Sequence, residues 1–151
     1  MNIAANDPQG LAEAVGRRMM SRDTAAQSFG IVLDAIAPGL ARMHMVVRPE
    51  WVNGHDICHG GMIFTLADTA FAYACNSYNS NAVAHTAQIT FVAAAKAGET
   101  LTAEARQVSA TRRTGVYDVS VTAGDGRVVA LLRGNSYRIK GEVVRDLSET
   151  P

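Results

Sequence analysis

The sequence predicts an α+β fold in which one long buried helix is wrapped by a curved antiparallel sheet. Three observations lead there. The stretch from Gly60 to about Asn76 is apolar on most sides of a helix, the mark of a helix buried all round. Four segments rich in Val, Thr, Ile and Tyr follow it with no further helical pattern. Two of those segments exceed the usual five or six residues of a strand, which favours strong curvature. A flat stack leaves much of such a helix uncovered, whereas a sheet curled round it does not. At 151 residues the chain suits a single domain, 1–151, with its core over about 25–140.

Each element follows in order. Asp7-Pro8 is a helix start, an N-cap followed by a proline whose missing N–H does no harm there. Leu11, Ala14, Val15, Arg18 and Met19 continue at helical spacing, giving an N-terminal helix over 7–22. Gly30 to Ile36 reads as a short strand, Pro38-Gly39 as a turn, and Ala41 to Val47 as the returning strand. Pro49 to Cys58 is rich in turn formers and reads as a loop into the central helix. The strands after the helix are Ala82 to Phe91, Thr100 to Ala110, Gly115 to Ala123 and Val128 to Ile139. Gly124-Asp125-Gly126 is a tight hairpin between the last two. The polar tail, 141–151, is expected to be loosely ordered.

Composition excludes several classes. Lys plus Arg equals Asp plus Glu, so net charge argues for neither nucleic acid nor a membrane surface as partner. Two cysteines, Cys58 and Cys75, are too few for a disulfide scaffold and fit a reduced, cytoplasmic chain. The first residues lack the basic start and apolar run of a signal peptide, and no apolar run approaches the roughly 20 residues that span a bilayer.

Two features between Trp51 and Ala72 carry chemistry. Gly60-Gly61 opens the central helix, where first-turn N–H groups lack intrahelical partners and the macrodipole adds positive character. Glycine lets another group approach that backbone, so the pair suits developing negative charge; it equally permits tight helix–sheet packing. Asp68 lies inside the otherwise apolar helix, with Phe64, Thr65, Phe71 and Ala72 as its one-turn neighbours. Such a carboxylate is a structural hydrogen-bond acceptor capping a loop N–H, part of a solvated stripe, or a base or nucleophile with a raised pKa. Eight residues separate Gly60 from Asp68, about 12 Å along a helix. One reacting carbon cannot touch both in one chain, so their joint use requires two subunits.

His55, Cys58 and His59 invite a metal reading, but the flanking Asn53-Gly54 and Gly60-Gly61 prevent the helix that would align them. No metal is expected. Adjacent side chains point apart, so Cys58 reads as a core residue and His59 as a group that orients the loop or lines the pocket. Arg112-Arg113-Thr114-Gly115 lies in a strand-to-strand turn; its arginines either solvate the turn or meet phosphates, with Lys96, Arg138 and Lys140 as possible additions.

Asn53, His59-Gly60-Gly61 and Leu66-Ala67-Asp68-Thr69-Ala70-Phe71-Ala72 resemble the phenylacetic-acid-degradation (PaaI-type) thioesterases of the hotdog superfamily. Gly98-Glu99-Thr100-Leu101, Arg113 to Asp118 and Val129 to Arg138 extend the resemblance over roughly residues 25–140. It implies the hotdog fold, in dimers that usually pair into tetramers, and hydrolysis of an aryl-acetyl-CoA or related acyl-CoA to acid and free CoA. The Gly60 N–H would polarise the thioester carbonyl, with Asn53 helping to hold the carbonyl or the attacking water. Asp68 of the partner subunit would be general base or nucleophile, and His59 would support the loop or the thioester end. A hydroxyl on the strand after the helix, here taken as Thr86, would steady the water. Substrate contacts are expected from Gly61, Phe64, Thr69, Lys96, Arg112, Arg113, Thr114 and Gly115. No cofactor is implied beyond the coenzyme A of the substrate. The competing readings are an acyl-thioester hydratase or dehydratase and a non-catalytic acyl-CoA-binding protein on the same fold.

Overall fold

A computed structural model describes residues 6–145. The elements are α1 (Pro8–Met20), α2 (Thr24–Ser28), β1 (Val32–Ala37), β2 (Leu40–Val46), α3 (Gly60–Asn76), β3 (Ala82–Phe91), β4 (Thr100–Ala110), β5 (Thr114–Ala123) and β6 (Val128–Arg138). The strands form one antiparallel sheet in the order β1-β2-β4-β5-β6-β3. Helix α3 lies along its concave face and packs against all six strands. This is the wrapped-helix architecture that the hydrophobic pattern predicts.

Curvature has local causes. Register shifts at Leu33/Ala35, Ala84/Thr86, Gln107/Ser109 and Val121/Thr122 each bend a strand and tighten its twist. Gly134 on β6 lets the Phe71 ring of α3 lie against the backbone, since a Cβ there would meet the ring at 2.7 Å. Leu66, Phe71 and Tyr73 of α3 are fully buried with Met43, Met45, Leu101, Val119, Val121 and Val129 from the sheet. Truncating one such large side chain to alanine leaves a cavity worth about 2–5 kcal/mol.

The N-terminal region departs from expectation in two ways. Helix α1 ends at Met20 rather than at 22, and a second, five-residue helix follows it. Asp7 caps α1 by accepting from the Gly10 N–H at 2.8 Å, and Asp23 caps α2 by accepting from the Ala26 N–H at 2.9 Å. A helix as short as α2 leaves no periodic signature, only its cap. The tail also differs: residues 141–145 are fixed rather than loose. Val144 is buried against Ala14 and Val15 of α1, and its backbone exchanges two hydrogen bonds with the Asn79 side chain. Val143 packs against the same cluster, and the Gly141 carbonyl accepts from the Asn81 N–H at 3.2 Å. The remainder of the tail, 146–151, lies outside the described residues. No helix among those described is long and apolar enough to cross a membrane.

Candidate active site

The segment entering α3 is pinned by its backbone. Cys58 N–H donates to the Ala95 carbonyl at 2.7 Å and His59 N–H to the Trp51 carbonyl at 2.8 Å. Within the loop, Asn53 N–H donates to Ile57, and Asp56 adopts a left-handed backbone with φ 58°. Asn53 Oδ1 accepts from the His55 N–H at 2.9 Å, while its Nδ2 group makes no hydrogen bond among the described residues.

His59 is the N-cap of α3. Its Nδ1 accepts from the Gly61 N–H at 2.9 Å, so a neutral ring carries its proton on Nε2. The two glycines therefore part roles: the Gly61 N–H is satisfied by the imidazole, whereas the Gly60 N–H has no acceptor among the described residues. Only Gly60 offers the open first-turn donor that the sequence suggested for both. Gly60 lines a cavity of about 440 Å³ together with Asn53, Ile63, Phe91 and residues 92–95.

Asp68 stands elsewhere on the helix and does not line that cavity. Thr65, Asp68, Thr69 and Ala72 form a half-buried stripe on a helix whose other side is buried. Burial pushes the Asp68 carboxyl above its ordinary value, because the charged form loses hydration. No described group hydrogen-bonds to it. The neighbouring hydroxyls are committed elsewhere: Thr65 donates to the Gly61 carbonyl at 2.9 Å and Thr69 to the Thr65 carbonyl at 2.6 Å. Phe64 is half-buried and packs against the core.

Thr86 lies on β3, just after the bulge that accommodates His85, and its Oγ1 accepts from Asn135 Nδ2 at 2.6 Å. Its proton stays available for donation.

The basic residues do not form one patch. Lys96 precedes β4 and Arg112-Arg113 follow it, so the eleven residues of that strand, about 35 Å, hold them apart. Arg113 lies instead beside Arg138, whose N–H donates to the Arg113 carbonyl at 2.7 Å. Sequence position cannot say at which end of a sheet a turn emerges, so within one chain Lys96 parts from Arg112 and Arg113 while Arg138 stays with them. Arg106, Arg127 and Arg133 are ion-paired to Glu104, to Glu99 and Asp125, and to Asp118, whereas Lys96, Arg112 and Arg113 have no acidic partner among the described residues. Thr114 and Thr111 join hydroxyls at 2.9 Å to close the turn. Gly115 leaves no space for a side chain, since a Cβ would lie 2.7 Å from the Tyr117 ring. Among the described residues no group of three or more His, Cys, Asp or Glu side chains converges as a metal site.

Phe91 was not anticipated. It appeared only as the end of a strand, although a glycine at a helix start invites a search for the bulky group that presses on it.

Comparison with known proteins identifies the family and the fold. Residues 55–130 match the Thioesterase superfamily. The chain is 44% identical over 125 residues to the acyl-coenzyme A thioesterase PaaI of Escherichia coli, covering 83% of this chain and 89% of that protein. The solved structure of E. coli PaaI, from the phenylacetic acid degradation operon, superposes with a TM-score of 0.89 at 41% identity, covering 90% of this chain and 99% of that one. A Streptococcus mutans protein bound to acetyl-CoA superposes with a TM-score of 0.70 at 28% identity, covering 74% and 90%.

Proposed function

Because the chain belongs to the thioesterase superfamily, we propose that it hydrolyses acyl-CoA thioesters to carboxylic acid and free CoA. Aryl-acetyl-CoA of the phenylacetyl or hydroxyphenylacetyl type is the proposed substrate class. The observation that carries the reading is the unpartnered Gly60 N–H at the start of α3, beside a largely apolar cavity.

A thioester carbonyl accepting from Gly60 gains negative charge as its carbon becomes tetrahedral, and the helix dipole stabilises that charge. The Asn53 Nδ2 group supplies a second donor at the same wall. His59, held by its cap, turns its Nε2–H outward as a donor toward the thioester end. Asp68 of the partner subunit takes a proton from water as the water oxygen joins the carbonyl carbon. The C–S bond then breaks, and the CoA thiolate leaves with the proton. Asp68 could instead attack the carbonyl itself, giving an acyl anhydride that water opens. Thr86 steadies the water in the first route. The mechanism draws on no metal or bound cofactor.

The dimer that this needs is proposed to form through β3. That ten-residue strand is an edge of the sheet, exposed along nearly its whole length, with no proline, lysine or acidic residue to guard it. Antiparallel pairing of two β3 edges sets the Phe91 end of one beside the Ala82 end of the other. Arg112, Arg113, Thr114 and Gly115 of the partner subunit, which lie at that far end, then approach the Gly60 cavity and Lys96. The partner's arginines are suited to the CoA phosphates. Association of two dimers into a tetramer and a cytoplasmic location complete the proposal.

Two alternatives are weaker. A hydratase or dehydratase needs an imidazole base in this loop, and His59 Nδ1 is already engaged by Gly61. A non-catalytic binder is separated by turnover. Thiol release from aryl-acetyl, benzoyl and straight-chain acyl-CoAs is to be measured for wild type and Asp68→Asn at equal folded concentration. The expected loss is about a hundredfold or more with substrate binding retained. Equal slow rates in both proteins would leave only a binding protein.

A further inference from the structure

Phe91 ends β3 and is 52% exposed, yet its ring is not idle at the surface. The ring edge rests on Gly60: a Cβ at that position would lie 2.8 Å from Cζ and 3.1 and 3.2 Å from the two Cε atoms. The absent side chain of Gly60 thus serves the approach of this ring as well as that of a carbonyl. The backbone beyond it is anchored, because Val92 N–H and Ala93 N–H both donate to the Val129 carbonyl, at 2.8 and 3.2 Å. Phe91 therefore sits beside Gly60, whose N–H is the open donor at the start of α3, on a fixed stem.

We infer that Phe91 is a specificity-determining residue that gauges the acyl group at its α-carbon, admitting a methylene and rejecting a branch or a directly attached ring. The inference rests on the thioesterase reading above. A carbonyl oxygen accepting from the Gly60 N–H lies about 3 Å from that nitrogen, so the carbon next to the carbonyl passes beside the ring edge. A methylene there presents only hydrogens and lets the rest of the acyl group turn away. An α-methyl group points into the ring in one of its staggered positions. A benzoyl group, conjugated with its carbonyl, loses that conjugation if it turns. Beyond the ring the wall is made of Ala93, Ala94 and Ala95, whose small side chains leave space for a group one methylene removed.

The test compares kcat/KM for three pairs of thioesters: phenylacetyl-CoA with 2-phenylpropanoyl-CoA, phenylacetyl-CoA with benzoyl-CoA, and butanoyl-CoA with 2-methylpropanoyl-CoA. Wild type, Phe91→Leu and Phe91→Ala are measured on each. Wild type is expected to favour the unhindered member of each pair by about tenfold or more. Phe91→Ala should shrink that preference at least tenfold, with Phe91→Leu between. Ratios cancel a general loss of activity, and Phe91→Leu keeps an apolar side chain at the end of β3. A uniform slowing of all substrates, or unchanged ratios, would overturn the assignment while leaving hydrolysis intact. A wild type that turns over only the aliphatic pair would remove the aryl-acetyl class but still score Phe91. One that releases CoA from none would overturn both readings.

Discussion

Asp68 owes its chemistry to position. It sits among apolar neighbours, and burial raises its carboxyl above the ordinary value of 3.8. The sign for activity follows: the base is the anion, so kcat/KM is retained above the raised value and lost as pH falls through it. A pH–rate profile of wild type should therefore show an acid limb displaced upward from 3.8; a limb at or below that value would remove Asp68 as the titrating base. Asp68 and Gly60 were legible in the sequence because each breaks a local rule, a carboxylate in an apolar helix and a double glycine at its start. The division of labour between Gly60 and Gly61 was not. It depends on the His59 ring turning back to Gly61, a matter of one side-chain torsion that residue types do not disclose. Phe91 was illegible for another reason: its contact with Gly60 joins positions far apart in the chain, brought together by the way β3 runs beside α3.

Among the elements, β3 bears the most consequence, because an unguarded edge is a template for another strand. A charge at its centre should oppose its symmetry mate in the paired dimer. Ala87→Glu is expected to yield monomers by light scattering after gel filtration, with hydrolysis reduced about tenfold or more. An unchanged mass would place the interface elsewhere. Strand spans were readable from composition: Ala82–Phe91 and Thr100–Ala110 fall where Val, Thr and Ile predict them. Strand order was not. The strand directly after the helix pairs with β6, the last, instead of its sequence neighbour β4. Nothing in the local pattern of β3 says which edge completes the sheet, since both candidate partners are equally β-like.

At the scale of the whole molecule the proposed site is shared, which gives it an arithmetic of its own. In a two-fold dimer each site takes Gly60 and Asn53 from one subunit and Asp68 from the other. Asp68→Asn and Asn53→Ala chains, each slow alone, should regain about a quarter of wild-type activity when co-refolded in equal amounts, because half the dimers are mixed and each mixed dimer has one intact site. No recovery, with mixing verified by mass, would place the site within a single chain. The wrapped-helix fold was legible from an apolar helix followed only by strands, because a curved sheet buries such a helix economically. How its two ends are secured was not, since the docking of the tail joins Val143 and Val144 to residues of α1 and to Asn79 and Asn81, all distant in sequence. That docking has a consequence of its own. By packing Val144 on α1 and holding it through Asn79, the protein fastens its tail to both its first helix and the turn after its central one. Release of residues 141–145 then uncovers Ala14 and Val15, so the opening of that segment and the exchange protection of the first helix are coupled.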